Sequence, residues 1–285
     1  MMLIAGCGYI GQMLAGALLK AGEPVTGLVR RDASVEQLNH LGISALQVDL
    51  DQAVKFDLDL ENESIFYFIP PPSAGVEDTR LQHFLAALSG HQGFKKLVLI
   101  STTGVYGDCG GEWVDEQRPV NPRFDRAKRR WHAEQQLRAY CQQHQGEHVV
   151  LRVAGIYGPG HLPLERLRKR LPMVPESEAP WTNRIHALDL VQVCQAAMAR
   201  GRDGEVYNVS DGHPGNMTDY FNQVADHAGL LRPPVVKRAD ADGQLSAGML
   251  SYLQESRRLS HQKMIEELQV TLQYPSLKSG LMASF

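Results

Sequence analysis

The sequence predicts an α/β protein: a doubly wound parallel sheet with a small C-terminal lobe. Three observations carry this. Short apolar runs alternate with helical patterns through the first half. The runs are apolar on both faces, as strands covered by helices on each side require. A glycine-rich turn follows the first run at once and opens a helix. At roughly 100–200 residues per domain, 285 residues suit one large domain or a core with an appended lobe.

Composition narrows the function. A net charge of −3 gives no sign of a strongly charged partner, and 43% hydrophobic residues exclude disorder. Cys7, Cys109, Cys141 and Cys194 show no CxxC pairing. They read as reduced thiols of a cytoplasmic protein, neither a disulfide framework nor a zinc site. Residues 1–19 carry no charge, but they lack a basic start and contain Gly6, Gly8, Gly11 and Gly16. The expectation is a strand and a helix, with no leader and no membrane span.

Strands are predicted over 2–5, 25–29, 45–48, 65–69, 97–100 and 149–151, with a late strand over 206–209. Leu81, Phe84, Leu85 and Leu88 form a helical stripe that Gly90 would stop. Asp189 is expected to cap a helix bearing Leu190, Val193, Cys194 and Ala197, closed by Gly201. Residues 165–170 suit a solvated helix, and 256–268 a polar helix ended by Tyr274 and Pro275. Trp113 and Trp181 fall in predicted loops. The expected division is a core over 1–155 and a substrate lobe over 156–285, with some later segments returning to the core.

The motif Gly6-Cys7-Gly8-Tyr9-Ile10-Gly11 sits between strand and helix, the context a dinucleotide fingerprint needs. The first glycine permits the tight turn, the second lets backbone approach a pyrophosphate, and the third packs helix on strand. Helix N-terminal amides then face the phosphates. The next strand ends at Val29, where an NAD site usually has an acid, and Arg30 and Arg31 follow. Guanidinium groups match a 2′-phosphate in charge and geometry, which favours NADP over NAD, although Asp32 dilutes the charge.

Together with these residues, several further runs resemble the short-chain dehydrogenase/reductase superfamily, in its extended, epimerase/dehydratase-like branch. They are Val48-Asp49-Leu50, Phe68-Ile69-Pro70, Ser101-Thr102-Thr103-Gly104-Val105-Tyr106-Gly107, residues 151–160 and Arg184-Ile185-His186-Ala187-Leu188-Asp189-Leu190. The likeness covers almost the whole chain. It implies a Rossmann-type core, adenine contacts from Asp49 and Leu50, and backbone near the cofactor at Ile69, Pro70 and Ser101. It also implies that Thr102 binds a substrate oxygen. A nucleotide sugar as substrate, and a homodimer, follow from the resemblance alone.

One departure stands out. The family's Tyr-x-x-x-Lys pair, placed from Asn121-Pro122 and from Glu134, falls on Arg126 and Arg130; a shifted register gives Phe124 and Lys128. Arg130 retains a positive charge for the ribose. Arg126 does not release a proton, so the usual acid/base relay is missing. Tyr106 is an alternative proton donor. The expected function is hydride exchange between NADP(H) and a carbon bearing oxygen. The alternative is a catalytically silent NADP(H)-binding redox sensor, and a structural subunit with an empty cleft is a third.

Two other readings carry less. Residues 123–138 are basic, but Ala127, Trp131, Leu137 and Cys141 make an inward face, and no stacking aromatics support nucleic acid binding. Drawing an anionic substrate into a cleft suits these cations better. His186, in a strand-to-helix turn, reads as a packed or capping residue.

Overall fold

The computed structural model describes residues 1–55, 60, 63–88, 94–144 and 146–285. Strand β1 (Met2–Ala5) leads into helix α1 (Tyr9–Lys20), which buries Ile10, Leu14 and Leu18. Gly22, at φ +83°, turns the chain beyond the helix. Then come β2 (Val25–Val29), α2 (Asp32–His40), β3 (Ser44–Gln47) and β4 (Ser64–Tyr67). Helix α3 (Thr79–Leu88) buries the four residues of the predicted stripe. Its expected stop, Gly90, lies outside the described residues. The first half closes with β5 (Lys96–Thr102), the short β6 (Trp113–Val114), α4 (Asp125–Gln143) and β7 (Glu147–Val153).

The second half is more broken. In order it holds β8 (Gly155–Tyr157), α5 (Leu164–Arg168), β9 (Trp181–Thr182), β10 (Arg184–His186), α6 (Ala187–Arg200) and β11 (Val206–Val209). After these come β12 (Gly215–Asn216), α7 (Met217–His227), α8 (Ala247–Leu253), β13 (Arg258–Leu259), α9 (Gln262–Leu268) and α10 (Leu277–Met282).

Seven strands form one parallel sheet in the order β11-β7-β5-β4-β1-β2-β3. Helices α1 and α6 cover one face, with α9 beside α6, over a core that includes Leu14, Phe66, Val98, Leu190 and Leu268. Helices α3 and α4 cover the other, over Leu3, Tyr67, Phe84, Leu99 and Leu137. Both faces are therefore buried, as the apolar strands require. A separate cluster around Tyr157, Met173, Phe221 and Leu253 supports the C-terminal elements. Among the described residues, no helix is long and apolar enough to cross a membrane.

Several expectations are corrected. The strand predicted over 45–48 spans Ser44–Gln47. The strand predicted over 65–69 spans Ser64–Tyr67. Phe68 N still donates to Ala5 O at 2.7 Å, but Pro70, Pro71 and Pro72 offer no N–H to continue a ladder. Asp189 does not cap α6. His186 does, its Nδ1 accepting from Leu188 N at 3.3 Å, in keeping with its sequence reading. Asp189 lies buried inside the first turn and accepts from Gln273 N at 2.7 Å and Tyr274 N at 3.0 Å.

The polar stretch 256–268 is helical only in its second part. Arg258 N donates to Glu112 O and Ser260 N to Val114 O, which draws residues 258–259 into β13 beside β6. The helix ends at Leu268, where Gln269 takes φ +50°, ahead of Tyr274. Trp113 and Trp181 lie in the two-residue strands β6 and β9, not in loops.

A buried ion pair crosses the layers. Arg152 on β7 meets Glu134 on α4 with Nη2 to Oε2 at 2.8 Å and Nε to Oε1 at 3.2 Å. Ser101 Oγ donates to the same carboxylate at 2.5 Å. The Arg152 guanidinium also lies 4.8 Å from the Tyr106 ring centroid. Glu134→Ala would strand Arg152 in the core without a counter-charge. The expected loss is about 3–5 kcal/mol in urea unfolding. A loss below about 1 kcal/mol, the range of exposed pairs, would show that the pair is not truly desolvated.

Candidate functional site

The glycine turn lies at the carboxyl end of β1. Gly6 has φ +90°, and a Cβ there would stand 2.7 Å from Ile69 N and 2.9 Å from Phe68 C. A side chain is thus excluded by both conformation and space. A Cβ on Gly11 would stand 2.9 Å from Gly6 O. Gly8 is different: nothing lies within 4 Å of the added atom, so its surface is open. Helix α1 starts there with no side-chain cap, which leaves its first amides for a ligand. Cys7 is buried, and burial pushes its thiol pKa up to about 12. It packs rather than reacts, as does Ile10, also buried.

Around this turn stand the other residues expected to hold a cofactor. Arg30 follows β2 and pairs with Asp51 at 2.8 Å. Arg31 stands at the N-cap position of α2 without a side-chain capping bond and makes no ion pair among the described residues. Asp49 Oδ1 accepts from Asp51 N at 3.0 Å, and Leu50 is buried with its carbonyl 2.9 Å from His83 Nδ1. Ile69 accepts from Arg130 Nη1 at 3.3 Å, and Pro70 from Arg80 Nη1 at 2.9 Å.

A cleft of about 710 Å³ opens beside the carboxyl ends of β5 and β7. Ser101, Thr102, Arg126 and Arg130 line it; Tyr106 and the glycine turn do not. His161 joins the two regions, lining the cleft while stacking on Tyr9 at 4.8 Å between ring centroids. The Tyr9 hydroxyl donates to Pro159 O at 2.9 Å.

Sequence reasoning missed much of the cleft. Arg129, Arg184, Arg257 and Glu255 also line it. Five arginines therefore face one carboxylate among the described residues. Arg184 has no carboxylate partner among them; it donates to Asn183 O at 2.9 Å and lies 4.3 Å from the Tyr220 ring centroid. Burial pushes its pKa down from the ordinary arginine range. Glu255 Oε2 accepts from Arg126 at 3.4 Å and from Arg257 at 3.2 Å, while Oε1 is buried with no partner among the described residues. Charge run and spacing gave no warning of Glu255 and Arg257, because they reach the cleft by a long return of the chain.

The arginines on α4 are held in different ways. Arg126 donates to Ser251 Oγ at 2.7 Å and packs over the Phe124 and Tyr252 rings, which ties α4 to α8. Burial pushes the Arg130 pKa down, with Asp78 and Tyr67 opposing. A guanidinium stays charged in such a place, so neither arginine is an acid/base group.

Thr102 Oγ1 accepts from Gly104 N at 3.2 Å, which leaves its proton free to donate. Tyr106 is buried, donates to Asn208 Oδ1 at 2.8 Å, and has its pKa pushed up to about 12 by burial. Tyr106 is not among the residues that line the cleft, and its hydroxyl proton is taken up by Asn208. No group of His, Cys, Asp and Glu among the described residues is arranged to hold a metal.

A parallel sheet in this order, with a glycine turn after its first strand and a cleft at the strand ends, defines a Rossmann-type protein. A model of the "NAD dependent epimerase/dehydratase family" matches residues 2–210, and the chain belongs to that family. A structure described as that of a functionally unknown conserved protein from Silicibacter pomeroyi is 34% identical. It covers 99% of this chain and 96% of its own, with a TM-score of 0.84. UDP-glucuronic acid 4-epimerase from Bacillus cereus, solved with NAD, is 19% identical over 99% and 96% of the two chains, with a TM-score of 0.77. Human dTDP-D-glucose 4,6-dehydratase is 25% identical over 135 residues, 45% of this chain and 39% of the human protein.

Asp211 follows β11, donates its amide hydrogen to Arg184 O at 2.8 Å, and has its carboxyl pushed up to about 6 by burial. The native state therefore keeps this proton to higher pH than the unfolded chain, where aspartate titrates near ~3.9. Its effect is to lower stability as pH rises from about 4 to about 6, by roughly 2–3 kcal/mol. Asp211→Asn should gain stability relative to wild type across that window in pH-dependent urea unfolding. A difference that stays constant with pH would show that Asp211 titrates normally.

Proposed function

We propose that this chain binds a nicotinamide dinucleotide over the glycine turn and acts on an anionic, sugar-like or nucleotide-linked substrate in the adjoining cleft. The observation that carries this is the joining of two sites through Tyr9 and His161. One is an uncapped helix N-terminus behind Gly6 and Gly8; the other is a cleft with five arginines and one acid. The nicotinamide supplies hydride exchange when bound. Thr102 would donate to a substrate oxygen, Arg130 would lie by the ribose, and the cleft arginines would hold the anionic part. The family and the solved relatives with NAD and nucleotide sugars support this substrate class.

The finer cofactor assignment is NADP(H), carried by Arg31, which makes no ion pair among the described residues, and by Arg30 only so far as its pairing with Asp51 allows. Gly6, Gly8 and Gly11 seat the pyrophosphate, with Asp49 and Leu50 at the adenine. A cytoplasmic homodimer, with residues 1–155 as cofactor core and 156–285 as substrate lobe, completes the reading. A second reading has its own support: Arg126 and Arg130 are not proton donors and Tyr106 is buried. On that reading the chain binds the dinucleotide and reports its redox state to a partner without turnover.

Turnover separates the two. The protein would be incubated with oxidised or reduced cofactor and a panel including UDP-glucose, UDP-glucuronic acid and dTDP-glucose, with products identified by mass spectrometry. One converted sugar nucleotide supports the enzyme; cofactor binding with no conversion across the panel supports the sensor. Thr102→Val should lower turnover by about 10–100-fold with little change in cofactor affinity, because it removes one oriented hydroxyl. Arg30→Glu should weaken NADPH in calorimetry more than NADH, and equal losses would sink the phosphate assignment.

A further inference from the structure

We propose that Asp51 sets this chain's selectivity at the adenosine 2′ position, by supplying beyond β3 the acid that is absent from the end of β2. This rests on the dinucleotide reading above. The sheet places the carboxyl ends of β3, β2, β1 and β4 side by side, with the glycine turn on β1. Val29, at the end of β2, is apolar and carries no acid.

Asp51 turns back toward that place. Its amide donates to Asp49 Oδ1 at 3.0 Å, which fixes a local turn. Its Oδ2 accepts from Arg30 at 2.8 Å. Arg80, from the start of α3, forks onto both oxygens at 2.5 and 3.1 Å. The same guanidinium reaches Pro70 O at 2.9 Å and Pro71 O at 3.4 Å, after β4. Arg30, Asp51 and Arg80 thus make a rim from β2 to β4 that passes the strand bearing the glycine turn.

Two consequences follow from charge and lone pairs. Arg30 is not a free cation waiting for a phosphate; its charge is met by a carboxylate. A 2′-phosphate set against Arg30 would also meet Asp51, and like charges repel. A carboxylate has about four acceptor positions, and the two arginines use three here, so one remains for a ribose hydroxyl. Hydrogen bonds from Arg80 hold the Asp51 carboxyl below the ordinary aspartate range; burial opposes them, and the charges of Arg80 and Arg30 add to the lowering. It is ionised at neutral pH. Arg31 keeps its charge unpaired among the described residues, so it is left to hold a 2′-phosphate while Asp51 weakens that binding.

The test is calorimetric titration of the full chain with NADPH and with NADH at low salt. Asp51→Asn should tighten NADPH roughly fivefold, the effect of removing one exposed charge at contact distance. NADH should be unchanged or weaker, and the NADPH gain should shrink as salt is raised. Asp51→Ser, with circular dichroism to confirm the fold, should give the same direction. If both cofactors bind and neither variant changes their ratio, Asp51 is not the determinant and the dinucleotide reading stands. If folded wild-type protein binds neither cofactor, that reading falls and this assignment falls with it.

Discussion

The buried contact of Glu134 with Arg152 orders much of what surrounds it. It joins α4 to β7, holds the Ser101 hydroxyl at the end of β5, and gives the Tyr106 ring a cation to pack on. Two ions this far from water persist only where their hydrogen bonds are nearly complete, and here they are shared with a third group. The network therefore constrains the register of α4 against the sheet. That register decides which side chains of a basic helix face the cleft. Arg126 and Arg130 do, whereas Lys128 pairs with Asp125 on the exposed side.

The cleft itself is an electrostatic construction. Its arginines come from α4, β10 and the segment before β13, and Glu255 is the one carboxylate among the described residues that line it. Cations brought together in a partly enclosed space repel one another, and that cost is offset when an anion binds. Arg184, stacked on Tyr220, makes no ion pair among the described residues and is the clearest case of a cation in the cleft with no carboxylate at contact. An arginine in place of a phenol at position 126 changes the chemistry open to the site. Where a proton would move, this chain has Arg126 bridging to Ser251 and Glu255 on the far wall.

Core and later segments meet at several specific points. His161 stacks on Tyr9, Asp189 holds the backbone of Gln273 and Tyr274, and Ser256 N donates to Asp108 Oδ1 at 3.0 Å. These contacts fix the walls of the cleft relative to the glycine turn. A ligand reaching from one region to the other would touch groups whose positions are already set by packing, which limits the ordering cost of binding.

The sequence by itself determined the sheet, the stripe of α3, the glycine turn and the likeness to the family. Each is written in local period or spacing: apolar runs, Leu81 to Leu88 at helical intervals, and glycines between strand and helix. The capping role of His186 was legible for the same reason. Tertiary structure decided the rest. Asp189 looked like a cap because only its neighbours in sequence were visible, whereas its partners lie some eighty residues away. Residues 258–259 looked helical until β6 offered a ladder. Tyr106 looked available until Asn208, from the last strand of the sheet, took its hydroxyl. Arg30 looked free until Asp51, from beyond β3, paired with it. Hydrogen bonds and ion pairs between distant segments leave no period in the sequence, so only the folded chain shows which polar groups are already satisfied.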